Sequence, residues 1–89
     1  MGVVTGIRVF LADDSLIVRE GVRVLLDLED DLEVVGTADD YDSLVRGAEA
    51  TEPHVIVTDI RMPPTFRREG IDAAKQVRKR YPGTGVVVL

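Results

Sequence analysis

VIVTDIRMPP, residues 55–64, sets three branched aliphatic residues and a threonine ahead of a single acid, Asp59, and closes on a double proline. Valine and isoleucine at this density, bounded by Pro53 on one side and by Pro63 and Pro64 on the other, predict a short strand buried on both faces, the kind found in parallel sheets. Asp59 then stands at the carboxyl end of that strand. In open α/β sheets ligands bind beyond the carboxyl ends of the strands, so a carboxylate there is placed for chemistry. Within the stretch alone, an aspartate that merely begins a turn is the plainer alternative.

Outward from this strand the chain alternates. IRVFLADD, residues 7–14, predicts a strand ending in two acids. Residues 15–29 predict a helix in which Arg19, Arg23 and Asp27 mark a narrow polar face. Leu16, Ile17, Val18, Val22, Leu25, Leu26 and Leu28 cover the rest of its circumference. Gly21 within that helix is expected to permit close packing. EVVGTAD, residues 33–39, predicts a second strand, and YDSLVRGAEA a short helix with Asp39 or Asp40 as its N-cap. After the strand HVIVTDI comes a loop over residues 61–70. Ile71, Ala74, Val77 and Tyr81 then recur at helical spacing until Pro82 stops the helix, PGTG turns the chain, and VVVL starts a fourth strand. No internal repeat or low-complexity stretch interrupts the alternation.

With 89 residues, 45% hydrophobic and 30% charged, and a net charge of -5, the chain has the size and balance of one globular domain. No unbroken apolar run exceeds four residues, far from the roughly 20 that a membrane helix needs. The start, MGVVTG, lacks the basic and apolar regions of a signal peptide. It also has Gly6 where N-myristoylation wants serine or threonine, so a cytoplasmic site and no membrane partner are expected. Zero cysteines exclude disulfides, thiolate metal sites and cysteine nucleophiles. The acidic balance disfavours direct nucleic-acid binding. The basic run Arg78, Lys79 and Arg80 is explained by the last turn of a helix, where cations meet the negative end of the macrodipole.

Strand and helix alternating at this spacing imply βαβ crossovers and a parallel sheet with helices on its faces. Right-handed crossovers bring the carboxyl ends of neighbouring strands to one edge. If the first and third strands are adjacent, Asp13, Asp14 and Asp59 converge on one crevice. Carboxylates so close repel one another and call for a cation. A hard divalent ion, Mg²⁺ above all, accepts one or two carboxylates and keeps waters and a phosphate in its other positions. Phosphoryl transfer asks mainly for charge neutralisation and positioning, and a carboxylate can itself be the nucleophile, giving an acyl phosphate. Asp59 is therefore expected to be phosphorylated, with Asp13 and Asp14 holding the metal beside it. Capping of the first helix by Asp14 and Ser15 is the structural alternative for the acid pair.

LADDS after the first strand, VTDIRMP after the third, and the element order between them resemble the receiver domain of two-component response regulators over residues 7–89. DDSLIVREGVRVLL and EVVGTADD resemble its NarL-like branch, whose members usually carry a LuxR-type helix-turn-helix after the receiver. The resemblance implies an α/β, flavodoxin-like parallel sheet of strand order 2-1-3-4. It implies that Asp59 is the phosphoacceptor, that Asp14 and Asp59 ligate Mg²⁺ directly, and that Asp13 acts largely through water. The backbone carbonyl of Arg61 would complete the protein ligands, and Met62 and Pro63 would shape the loop. A signalling domain rather than an enzyme is implied, with at most autocatalysed phosphorylation and dephosphorylation. It would receive its phosphoryl group from a sensor histidine kinase and act on DNA only through an output domain outside residues 1–89.

Two departures from the family are visible. DIRMPPTFRREG, residues 59–70, is longer than the common form and sets Phe66, Arg67, Arg68 and Glu69 beside the site, where it is expected to alter access or kinase pairing. The family's domain also continues with a fourth helix, a fifth strand and a fifth helix that supply a hydroxyl and a lysine for the phosphoryl oxygens. Lys75 and Lys79 lie on the third helix and cannot substitute. Residues 1–89 thus read as a partial receiver with no second domain, and poor phosphorylation of this chain is expected. Self-association is expected as well, through the fourth strand and a face beside the first helix where Ile7, Val9, Val55 or Val57 lose cover. A fragment serving only as a structural or self-association module is the second reading. A Mg²⁺-dependent phosphohydrolase is the third, although haloacid-dehalogenase-like enzymes place Asp-x-Asp after the first strand and the acids here are adjacent. His54 opens the third strand at the end opposite Asp59, away from any phosphorelay.

Overall fold

The computed structural model describes residues 6–89. Positions 1–5, which carry most of the MGVVTG stretch weighed for lipidation, lie outside the described residues. Along the chain β1 (Ile7–Ala12), α1 (Leu16–Asp27), β2 (Leu32–Ala38), α2 (Tyr41–Thr51), β3 (Val55–Thr58), α3 (Glu69–Arg80) and β4 (Gly85–Val88) alternate. The four strands are parallel, in the order β2-β1-β3-β4.

Local chemistry sets the helix limits. Ser15 caps α1 by accepting the Val18 amide at 3.3 Å. Asp40 and Ser43 form a reciprocal capping box on α2: the Asp40 carboxylate accepts the Ser43 amide at 2.8 Å and the Ser43 hydroxyl accepts the Asp40 amide at 3.3 Å. Arg78, Lys79 and Arg80 occupy the last turn of α3, where the Arg78 guanidinium donates to the Pro82 carbonyl at 3.3 Å and Arg80 lies over the Tyr81 ring. That basic run is a helix end.

The core lies between the sheet and the α2/α3 layer. Phe10, Ala12 and Ile56 meet Leu44, Ala48, Met62, Ala73 and Val77 there. Each of the larger side chains stabilises the fold by about 1.5–3 kcal/mol through burial. Phe10, 2% exposed, is the bulkiest side chain of this core. A bulge between Val9 and Phe10 in the β1–β2 pairing brings Gly36 opposite the ring, and a Cβ on Gly36 or Gly47 would lie 2.7 or 2.5 Å from ring carbons. Only glycine leaves room for a phenylalanine at that depth.

The opposite layer is thinner. α1 is its only helix among the described residues and none of its residues is buried; Ile17 is 85% and Leu25 65% exposed. This limits the burial expected of β3. Ile56 and Thr58 are buried, whereas Val55 and Val57, whose side chains alternate to the α1 side, are half-buried. Of the residues expected to lose cover, Ile7 is exposed and Val9 is buried. Gly21 corrects a second expectation: no atom lies within 4 Å of the position its Cβ would take, so it faces open space and permits no close packing.

His54 serves the amino-terminal edge of the sheet. Its Nδ1 accepts the Arg8 amide at 2.8 Å, its own amide donates to the Arg8 carbonyl at 2.9 Å, and its carbonyl accepts the Gly85 amide at 2.9 Å. One residue thereby fastens β1, β3 and β4 together, at the end of the sheet away from the acids.

Candidate functional site at the carboxyl edge of the sheet

Because β1 and β3 are adjacent, with Ala12 paired to Thr58, the residues just beyond them share one edge. The Asp59 amide donates to the Ala12 carbonyl at 2.9 Å, and the Asp13 amide donates to the Ala38 carbonyl at 3.1 Å. These bonds fix both acids relative to three strands. Asp13, Asp14 and Asp59 each offer a carboxylate oxygen within 4.8 Å of the other two. Asp13 is buried, Asp59 half-buried and Asp14 exposed, so the cluster opens to solvent on one side.

The carboxylates are oriented by their own loops. Asp13 Oδ1 accepts the Ser15 amide at 2.9 Å, while Asp59 Oδ1 accepts the Ile60 amide at 2.8 Å. Each acid therefore keeps a second oxygen for the crevice. Three carboxylates that form no salt bridge among the described residues present hard oxygen donors and negative charge, the donor set that suits Mg²⁺. Ser15, the alternative cap, does cap α1, and it does so while its amide orients Asp13. Asp14 makes no cap. Arg61, whose carbonyl was expected among the ligands, is exposed at the start of the loop.

Three further residues shape this edge: Glu69, which the sequence sets beside the site, and Arg19 and Gly70, which it does not single out. The Arg19 guanidinium donates to the Asp13 carbonyl at 2.8 Å, tying the loop between β1 and α1 to the helix. In the sequence Arg19 is one of three polar residues on a helix face, and nothing local separates it from Arg23, which pairs at 4.0 Å with Asp27. Gly70 packs its α-carbon against the Asp59 carbonyl, and its amide donates to the Ile60 carbonyl at 2.9 Å. Glu69 is buried. Its carboxylate accepts the amides of Thr65 and Arg67 at 2.6 and 2.9 Å, together with the Thr65 hydroxyl. The Thr65 hydroxyl chiefly, with those amides, lowers the Glu69 pKa to about 2. A glutamate and a glycine opening an apolar-periodic run were the one available signal.

The loop over residues 60–68 is anchored rather than loose. Met62 is fully buried in the core, its carbonyl accepts the Phe66 amide at 2.9 Å, and the Pro63 carbonyl accepts the Tyr41 amide at 3.3 Å. Phe66 itself is exposed, at a left-handed φ of 56°.

Comparison with known proteins bears on this edge. The response regulator receiver domain family matches residues 9–89. The uncharacterized transcriptional regulatory protein YxjL of Bacillus subtilis is 42% identical over 83 residues, covering 93% of this chain and 37% of YxjL. The chain thus spans a little over a third of the length of the curated relatives it matches. Among solved structures, the non-phosphorylated receiver domain of the stress response regulator RcsB from Escherichia coli superposes with a TM-score of 0.81 at 30% identity, over 96% of this chain and 65% of that one. The response regulator domain of Thermotoga maritima CheB gives 0.83 at 37% identity, over 93% and 59%.

Proposed function

The chain belongs to the response regulator receiver domain family, and from that premise we propose that Asp59 accepts a phosphoryl group from the phosphohistidine of a sensor kinase. The observation that carries this reading is the convergence of Asp13, Asp14 and Asp59 within 4.8 Å at the carboxyl ends of adjacent strands. An Asp59 carboxylate oxygen attacks phosphorus as the bond from phosphorus to the donor nitrogen breaks, and the released imidazole takes up a proton. The acceptor is held ready by its bond to the Ile60 amide and by the backbone bond from its own amide to Ala12. Asp14 and Asp59 would hold Mg²⁺ directly, Asp13 largely through water, with the Arg61 carbonyl as the remaining protein ligand. When bound, the ion neutralises the charge between carboxylate and phosphoryl group.

The relatives' names support the wider role. YxjL and DegU of Brevibacillus brevis are transcriptional regulatory proteins. In this reading residues 1–89 are part of a receiver domain that relays phosphorylation to a DNA-binding output in the cytoplasm, as a signalling component rather than an enzyme. No helix among the described residues is long and apolar enough to cross a membrane. The exposed apolar residues of α1 favour a second property of this chain, self-association.

The test is covalent modification. Incubated with Mg²⁺ and a small acyl phosphate such as acetyl phosphate, the chain gains one phosphoryl group, in low yield, by intact-mass spectrometry, and Asp59→Asn gains none. A Mg²⁺-dependent adduct that persists in Asp59→Asn would place the acceptor elsewhere.

A further inference from the structure

Glu69 is a carboxylate buried to 7% exposure at the start of α3, without an ion pair among the described residues, and both of its oxygens accept from the preceding loop. Three donors converge on it: the Thr65 amide, the Thr65 hydroxyl and the Arg67 amide. The turn between those amides holds Phe66 at a φ of 56°, a left-handed conformation that a non-glycine residue keeps only where its surroundings hold it. On its other side the Glu69–Gly70 peptide lies directly on the acceptor strand. The Gly70 amide donates to the Ile60 carbonyl at 2.9 Å, and a Cβ on Gly70 would stand 1.7 Å from the Asp59 carbonyl oxygen. No slack separates the two backbones.

We propose that Glu69 is a positioning residue for phosphoryl acceptance: its carboxylate ties residues 60–68 to α3 and thereby fixes the backbone of Asp59 and Ile60 and the carbonyl of Arg61 beside the acid cluster. The inference rests on the reading of Asp59 as the acceptor. A carboxylate is required because it accepts on both oxygens and donates on neither, whereas a carboxamide of equal size turns an N–H₂ toward one of the two amides. Glu69→Gln therefore preserves volume and weakens the tie.

The experiment compares the chain with Glu69→Gln, Glu69→Ala and Asp59→Asn. Mg²⁺ affinity is measured by amide chemical-shift titration without any phosphodonor, and the rate constant for phosphoryl gain is followed across acetyl phosphate concentrations. Partners that orient ligands are worth about 10–100-fold in metal affinity. Glu69→Gln is expected near the lower end of that range and Glu69→Ala near the upper. The rate constant at saturating donor should fall while the final amplitude of phosphoryl gain stays unchanged, whereas simple loss of folded protein lowers the amplitude and leaves the rate constant of the folded fraction as it was. Thr65→Val removes only the hydroxyl, so it keeps the test decisive if Glu69→Gln unfolds; a weaker shift in the same direction is expected. Wild-type Mg²⁺ affinity and saturated rate in Glu69→Gln, or in Thr65→Val where the former is unfolded, would overturn the proposal while Asp59→Asn still abolishes acceptance. Failure of the unaltered chain to bind Mg²⁺ or gain phosphate would instead remove the acceptor reading and the inference with it.

Discussion

Alanine at position 70 should cripple this domain, although by helix propensity alone it ought to help. Gly70 is the second residue of α3, where replacing glycine by alanine gains up to about 1 kcal/mol from reduced backbone freedom. Against this, the new methyl carbon would lie 1.7 Å from the Asp59 carbonyl oxygen, 2.7 Å from Thr58 Oγ1 and 2.9 Å from the Asp59 carbonyl carbon, all inside the 3.0 Å floor of real contacts. The chief obstacle is backbone, so relief requires α3 and the Asp59 peptide to separate by more than an ångström. Overpacking of this kind costs about 1–3 kcal/mol or more, which outweighs the propensity gain. A displacement on the order of 1 Å at a reacting group can also cost about 100-fold in rate. Gly21→Ala is the matched control, since α1 presents open space at that position and only the propensity gain operates. Urea unfolding followed by far-UV circular dichroism, together with phosphate uptake by intact mass, reads both effects. The expected result is Gly21→Ala at or above wild-type stability, and Gly70→Ala destabilised and slow to accept phosphate. A Gly70→Ala protein with wild-type stability and rate would refute the packing argument.

Acid sensitivity follows from Glu69, whose folded pKa is lowered from 4.5 to about 2 chiefly by the Thr65 hydroxyl. The unfolded chain takes up that proton first, so the contribution is complete above about 4.5 and is lost as pH falls toward about 2; Glu69→Gln should flatten stability against pH across that window, and curves of equal slope would contradict the assignment. Self-association should appear as a concentration-dependent mass in light scattering coupled to gel filtration, reduced by Ile17→Lys on α1 or Val88→Lys on β4. A folded monomer that persists from roughly micromolar to millimolar concentration would exclude it.

Much of this molecule is written in short stretches of its sequence. Apolar runs of four to six residues between turn residues, helical spacing from Ile71 to Tyr81, the Asp40 cap and the stop at Pro82 depend on neighbours a few positions away, and so the order of strands and helices is legible directly. Asp13, Asp14 and Asp59 are legible as candidates for the same reason, because an acid after an apolar strand is a local pattern. What makes them a cluster is tertiary: Ala12 must pair with Thr58 for carboxylates 45 positions apart to come within 4.8 Å. Tertiary packing also decided which glycines matter. Gly36 and Gly47 yield to the Phe10 ring and Gly70 to the Asp59 carbonyl, while Gly21 meets nothing. Arg19 looks like an ordinary surface charge, and Glu69 like one more charge of the loop beside the site, until the Asp13 carbonyl and the Thr65 and Arg67 amides are placed opposite them. Backbone propensity and capping act over one or two turns of chain, whereas the partner of a buried polar group is chosen by whatever the fold brings alongside it.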